Sequence, residues 1–105
     1  MTTIGDFLAD SENMAEFGSR LRARRLARNL TTKMLAERTG LNRKTIMDLE
    51  AGLDVRLSTV MKVFRALQLL GALNTALPDV LPSGEALSAR GQPRLRAYRP
   101  ASLKI

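Results

Sequence analysis

Leu30-Thr31-Thr32-Lys33-Met34-Leu35-Ala36-Glu37-Arg38-Thr39-Gly40-Leu41-Asn42-Arg43-Lys44-Thr45-Ile46-Met47-Asp48-Leu49-Glu50-Ala51-Gly52 is the stretch that decides the fold. Thr31 has the side-chain oxygen to cap a helix over about Thr32 to Thr39. Gly40 ends that helix, because the position after a helix often needs a positive φ. Leu41 follows as an apolar plug. Asn42 is a good N-cap for another helix, about Arg43 to Ala51, closed by Gly52. Leu35 and Ala36 on the first helix, Leu41 in the turn, and Ile46 and Leu49 on the second supply a shared core. Ala36 is small where the two helices must approach closely.

Outward from this stretch the helical pattern continues on both sides. Upstream, about Glu12 to Arg28 reads as a long helix, with Ser11 or Asp10 as its N-cap. Glu12 suits its positive end, and Arg24, Arg25 and Arg28 suit its negative end. Asn29 is placed to stop it, since Asn tolerates the left-handed conformation. Downstream, a helix from Leu57 or Ser58 to Leu70 is closed by Gly71. Its apolar face is Leu57, Val60, Met61, Phe64 and Leu67, at spacings of three and four. A short helical piece, Ala72 to Leu77, precedes Pro78. After Pro78 the pattern fails, because Pro82, Gly84, Gly91, Pro93 and Pro100 interrupt it. The expected layout is all-α: an acidic arm over 1–11, a compact domain over 12–77, and a flexible basic tail over 78–105. Residues 1–11 read as either a turn of helix or an unstructured arm.

Composition agrees with packed helices. Hydrophobic residues make up 45% of the 105, but aromatics only 4%, so the core must be aliphatic, which suits helices better than a sheet. The net charge is +7 and unevenly spread. Residues 1–19 carry Asp6, Asp10, Glu12 and Glu16 and no cation. The remainder carries 17 basic against six acidic side chains. Such a charge points to nucleic acid or another anionic surface. The chain has no Cys and no His. That removes disulfides, thiol nucleophiles, the usual zinc ligands and the commonest general base. No catalytic constellation is visible, so the chain is expected not to be an enzyme, with no cofactor and no metal. No apolar run approaches a membrane span, and the N-terminus lacks the pattern of a secretory signal. A cytoplasmic location is the expectation.

A short turn holding Gly between two short helices is the arithmetic of a helix-turn-helix unit. With Ile46, Leu49 and Leu53 turned inward, Arg43, Lys44, Met47, Asp48 and Ala51 share the opposite face. Two readings of that face stand at this point: a groove-reading surface, or the solvated side of an ordinary helical hairpin. The run from Leu30 to Ile46, with Leu49-Glu50-Ala51-Gly52, resembles the lambda-repressor-like family, also called the Cro or XRE family. The resemblance extends from about Gly18 to Leu70. It implies a bundle of about five helices that binds double-stranded DNA as a two-fold homodimer on a pseudo-palindromic operator.

Carried over by residue, the resemblance puts Thr32 near a phosphate. It puts Asn42, Arg43 and Lys44 at the entry to the groove and Thr45 beside the backbone. Met47 and Asp48 fall along the base edges, and Arg56 near a phosphate. Arg25 is similar to an arginine that pairs with the glutamate closing the reading helix, here Glu50, as a structural ion pair. The chain also departs from the pattern. Thr32 stands where Gln is common, so a longer contact is lost. Met47 replaces a small polar residue and either meets a thymine methyl or faces inward. Asp48 either accepts from a cytosine amino group or only holds Arg43 or Lys44. Ala51 replaces a common Asn or Arg.

Other features keep alternatives open. Arg20, Arg22, Arg24 and Arg28 are either phosphate contacts or a solvated surface. The apolar stripe continuing through Leu69, Leu70, Leu73 and Leu77 is either core or a dimer interface. The tail is disordered, a minor-groove arm, or a strand over Arg94–Arg99. The leading functional expectation is a transcriptional repressor. The alternative is an antitoxin that binds a toxin protein and regulates its own operon, since the layout is similar to HipB-type antitoxins.

Overall fold

The computed structural model describes residues 3–80. Among them are five helices and no strand: α1 (Asp10–Ala27), α2 (Thr32–Thr39), α3 (Arg43–Glu50), α4 (Leu57–Ala66) and α5 (Ala72–Ala76). α3 packs against both α1 and α2, and α2 packs against α4. Leu35, Ile46, Leu49 and Val63 are fully buried at the centre. Leu21, Leu30, Ala36, Phe64 and Leu67 complete the core, with Leu41 packed partly buried against it. The Phe17 ring stacks on Phe64 at a centroid distance of 5.8 Å, tying α1 to α4.

Four helices end on a left-handed residue, and that repeated device sets the chain's turns. Asn29 (φ 59°) follows α1, Gly40 (φ 75°) α2, Gly52 (φ 83°) α3 and Gln68 (φ 60°) α4. After α1, Asn29 donates to the Leu26 carbonyl and Leu30 to that of Arg25. After α3, Gly52 donates to Leu49 and Leu53 to Asp48. After α4, Gln68 donates to Arg65 and Leu69 to Phe64. Each is the paired hydrogen-bond pattern that satisfies the last carbonyls of a helix.

Several boundaries differ from the sequence-based expectation. α1 begins at Asp10, with Ala9 rather than Ser11 or Asp10 in the cap position. Ala9 has no capping oxygen. Instead the Glu12 carboxylate reaches back to accept from the Ala9 N–H at 2.8 Å, which is half of a capping box. α3 ends at Glu50, and Ala51 is its cap. α4 ends at Ala66, not Leu70, because Gln68 rather than Gly71 takes the left-handed conformation. Leu53 is 53% exposed rather than turned inward. The turn at Gly52 breaks the periodicity that would have carried it inside. On α4 the buried face is Thr59, Val63 and Phe64, while Leu57 and Met61 are exposed.

The described part of the N-terminal arm is a turn, with Leu8 donating to the Gly5 carbonyl. Asn13 of α1 pins it. Its side chain accepts from Gly5 N at 3.0 Å and donates to Gly5 O at 3.1 Å. The alternatives for the tail beyond Val80, the Arg94–Arg99 strand included, lie outside the described residues. No helix among the described residues is long and apolar enough to cross a membrane.

Candidate nucleic-acid interface

Helix α3 is held from three sides. Its inner face, Ile46 and Leu49, is buried against α1 and α2. Its C-terminal end lies against α1 at Gly18. A Cβ on Gly18 would stand 2.5 Å from the carbonyl oxygens of both Leu49 and Glu50. Gly52 is hemmed in the same way, since a Cβ there would meet the Ala15 backbone at 2.7 Å. Glycine at both positions lets the two backbones touch.

The third hold is an ion pair. Arg25 Nε donates to Glu50 Oε2 at 2.7 Å and Nη2 to Oε1 at 3.0 Å. Nη1 donates to the Leu30 carbonyl at 2.7 Å. Both side chains are nearly buried. The bond to Glu50 raises the Arg25 pKa above its ordinary value, against the lowering effect of burial. A raised cationic group stabilises the fold at every pH below its ordinary range, so the guanidinium is charged and its contribution present near neutrality. The pairing implied by the resemblance is therefore present, and it joins α1, the α1–α2 turn and α3 through one guanidinium.

With its inner face fixed, α3 presents an outer strip. Arg43 and Lys44 open it, exposed, and Met47 follows at 52% exposure. Met47 therefore points outward, which settles its direction. Lys44 Nζ lies 3.1 Å from both oxygens of Asp48. Asp48 thus holds Lys44, one of the two partners anticipated for it, and Arg43 has no ion pair among the described residues. The Lys44 head is 82% exposed, so the pair adds little stability.

Asn42 caps the helix. Its Oδ1 accepts from Thr45 N at 2.9 Å and from the Thr45 hydroxyl at 2.8 Å. The Thr45 hydroxyl is thereby committed to the cap, and the Asn42 amide keeps its donors. Thr31, not Thr32, caps α2, accepting from Met34 N at 3.0 Å. Thr32 is the first helical residue, half-buried. The first N–H groups of α2 and α3 have no intrahelical acceptor and point along the helix axes, a geometry suited to phosphate oxygens. Arg56 occupies the cap position of α4 with its side chain exposed. Asn42 through Asp48 are thus gathered on one element. Thr32 and Arg56 sit on neighbouring elements, with no side-chain hydrogen bond to the strip. No group of carboxylates that could hold a metal ion occurs among the described residues.

Gly18 and Asn13 carry structural roles that sequence reasoning did not assign. A glycine in the middle of an otherwise good helix was the available signal for the first, since it is unfavourable there unless a backbone approaches.

Residues 16–77 match the helix-turn-helix domain family. The chain belongs to that family, which is of the Cro/XRE type, and its domain is that of DNA-binding regulators. No curated protein matches the chain.

Proposed function

We propose that the protein is a sequence-specific transcriptional repressor that binds double-stranded DNA as a homodimer on a pseudo-palindromic operator. The carrying observation is the outer strip of α3. Two cationic donors and one apolar side chain project from a helix whose other face is buried and whose end is clamped to α1. A helix that reads the major groove needs that fixed angle. Arg43 and Lys44 can reach guanine acceptors, and Met47 is suited to a thymine methyl.

Dimerisation is assigned to the exposed apolar face that α4 leaves uncovered. Leu57 and Met61 are 73% and 40% exposed and lie one helical turn apart. Leu53 and Leu77 are exposed as well. A two-fold copy would cover these residues with the same residues. Its α3 helices would then address half-sites about one DNA turn apart. The proposed role is binding alone.

Selection of bound fragments from the source genome tests the reading. Enrichment of one sequence with internal two-fold symmetry is expected, and enrichment of none would overturn it. Sedimentation is expected to show a dimer at micromolar concentration. The antitoxin alternative requires, in addition, a protein encoded beside this gene that forms a stable complex with the chain.

A further inference from the structure

A shallow groove lies where the N-terminal arm meets the start of α1 and the α3–α4 turn. Ile4, Met14 and Phe17 line it with apolar surface, and Asp10 and Asp54 stand at its edge. Its shape is held, because Phe17 stacks on Phe64 and Asn13 pins the arm. Glu16, Asp48 and Glu50 are engaged in ion pairs. Asp10 and Asp54 have none among the described residues. An apolar floor with unpaired carboxylates at its rim asks for a ligand that is both apolar and cationic.

We propose that this groove receives the chain's own segment Arg94-Leu95-Arg96-Ala97-Tyr98-Arg99. Its chemistry matches, with Leu95 and Tyr98 for the floor and Arg94, Arg96 and Arg99 for the rim. Its charge matches, since residues 81–105 hold five basic side chains and a single acid, Glu85. Its reach is sufficient. The segment begins fourteen residues beyond Val80, and at about 3.3 Å per residue these span roughly 46 Å. A domain of this size has a radius of gyration of only about 12 Å, so the groove is within range from any exit point. Docked in this way, the segment's arginines face Asp10 and Asp54 instead of phosphates. DNA and the groove then compete for the same cations, and the tail acts as an intramolecular brake on non-specific binding. The docking itself needs no DNA, so it stands or falls apart from the repressor reading.

Tyr98 is the only tyrosine and the chain has no tryptophan, so tyrosine emission reports this segment alone. The test is acrylamide quenching of the full chain at low salt without DNA. A quenching constant several-fold below that of N-acetyltyrosinamide is expected. It should rise toward the free value in the D10N/D54N double variant and in R94Q/R96Q, whose positions lie outside the described residues. Circular dichroism checks that each variant keeps its helices. Free quenching of the unaltered chain would overturn the proposal. So would protection that persists in both double variants. Protection that vanishes on dilution would assign the groove to a second copy, and protection that appears only with added duplex would assign the segment to DNA; either result also overturns it.

Discussion

The Arg25 guanidinium is bonded to the Glu50 carboxylate through two of its nitrogens and to the Leu30 carbonyl through the third. One buried cation thereby fixes the end of α3, the exit from α1 and the position of the strip between them. Glu50→Ala leaves that cation buried and unpaired, which should cost about 3–5 kcal/mol of unfolding free energy. Replacing both partners by leucine should recover part of the loss. It should not recover all, because the Leu30 carbonyl then loses its donor, at about 1–3 kcal/mol. Urea unfolding of Arg25→Leu, Glu50→Leu and the double leucine variant checks this. Additive losses would mean that the pair is not coupled.

Gly18 and Gly40 invert the usual ranking of glycine substitutions. Gly40 is left-handed, with open space where a Cβ would go, so Gly40→Ala should cost only about 1–2 kcal/mol of backbone strain. Gly18 is in regular helix, where alanine would normally gain about 1 kcal/mol. Its Cβ, however, would strike the backbone of Leu49 and Glu50, which cannot rotate away. Gly18→Ala should therefore be the costlier change, near the upper end of the roughly 1–3 kcal/mol range for overpacking. Thermal unfolding in which Gly40→Ala is the more damaging would count against the close approach of α1 and α3.

The turns around α3 were legible in the sequence because their chemistry is local. Thr31, Asn42, Asn29, Gly40 and Gly52 each act through their own side chain or their own φ, and each occupies the expected position. The start of α1 was not legible, because its cap depends on Glu12 reaching back rather than on an oxygen at Ala9. The end of α4 was hidden for a related reason. Gln68 takes a conformation that Gly71 would adopt at lower cost, and it is joined through its side chain to Arg28, the residue that caps the end of α1. Such a contact across 40 residues leaves no local trace. The face of α4 was legible only in part: Val60, Phe64 and Leu67 pack inward as the spacing predicts, but Thr59 and Val63 are buried while Leu57 and Met61 are left outside. On α3 the strip from Arg43 to Asp48 could be read from periodicity, but the inward placement of Leu53 extended that period past a turn that breaks it.

The Lys44–Asp48 pair gives a third test. Its exposure means that Asp48→Asn should change stability by less than about 1 kcal/mol. The change frees the Lys44 ammonium and removes an anion from the strip. Binding to random duplex should tighten, and the slope of log K against log salt should steepen by about one. Fluorescence anisotropy across salt concentrations checks both. Relaxed preference at a single base pair, with random binding unchanged, would instead assign Asp48 to a cytosine.

Arg43 and Arg56 should separate sequence reading from affinity. Arg43 is the first residue of α3, exposed and without an ion-pair partner among the described residues, so its donors can reach guanine O6 and N7. Arg56 lies beyond the end of α3, at the start of α4, where the sugar-phosphate backbone is the expected neighbour. A phosphate carries no direct sequence information. Arg43→Ala should therefore cost about 1–3 kcal/mol on the selected operator and little on scrambled duplex. Arg56→Ala should weaken both by similar factors. Neither side chain supports the core, so both variants should unfold near the temperature of the unaltered chain, and a folding defect cannot mimic the result. Competition of operator against scrambled duplex gives the ratio directly. Equal losses on the two duplexes for Arg43→Ala would remove α3 as the reading element. A loss confined to the operator for Arg56→Ala would move the reading to the start of α4.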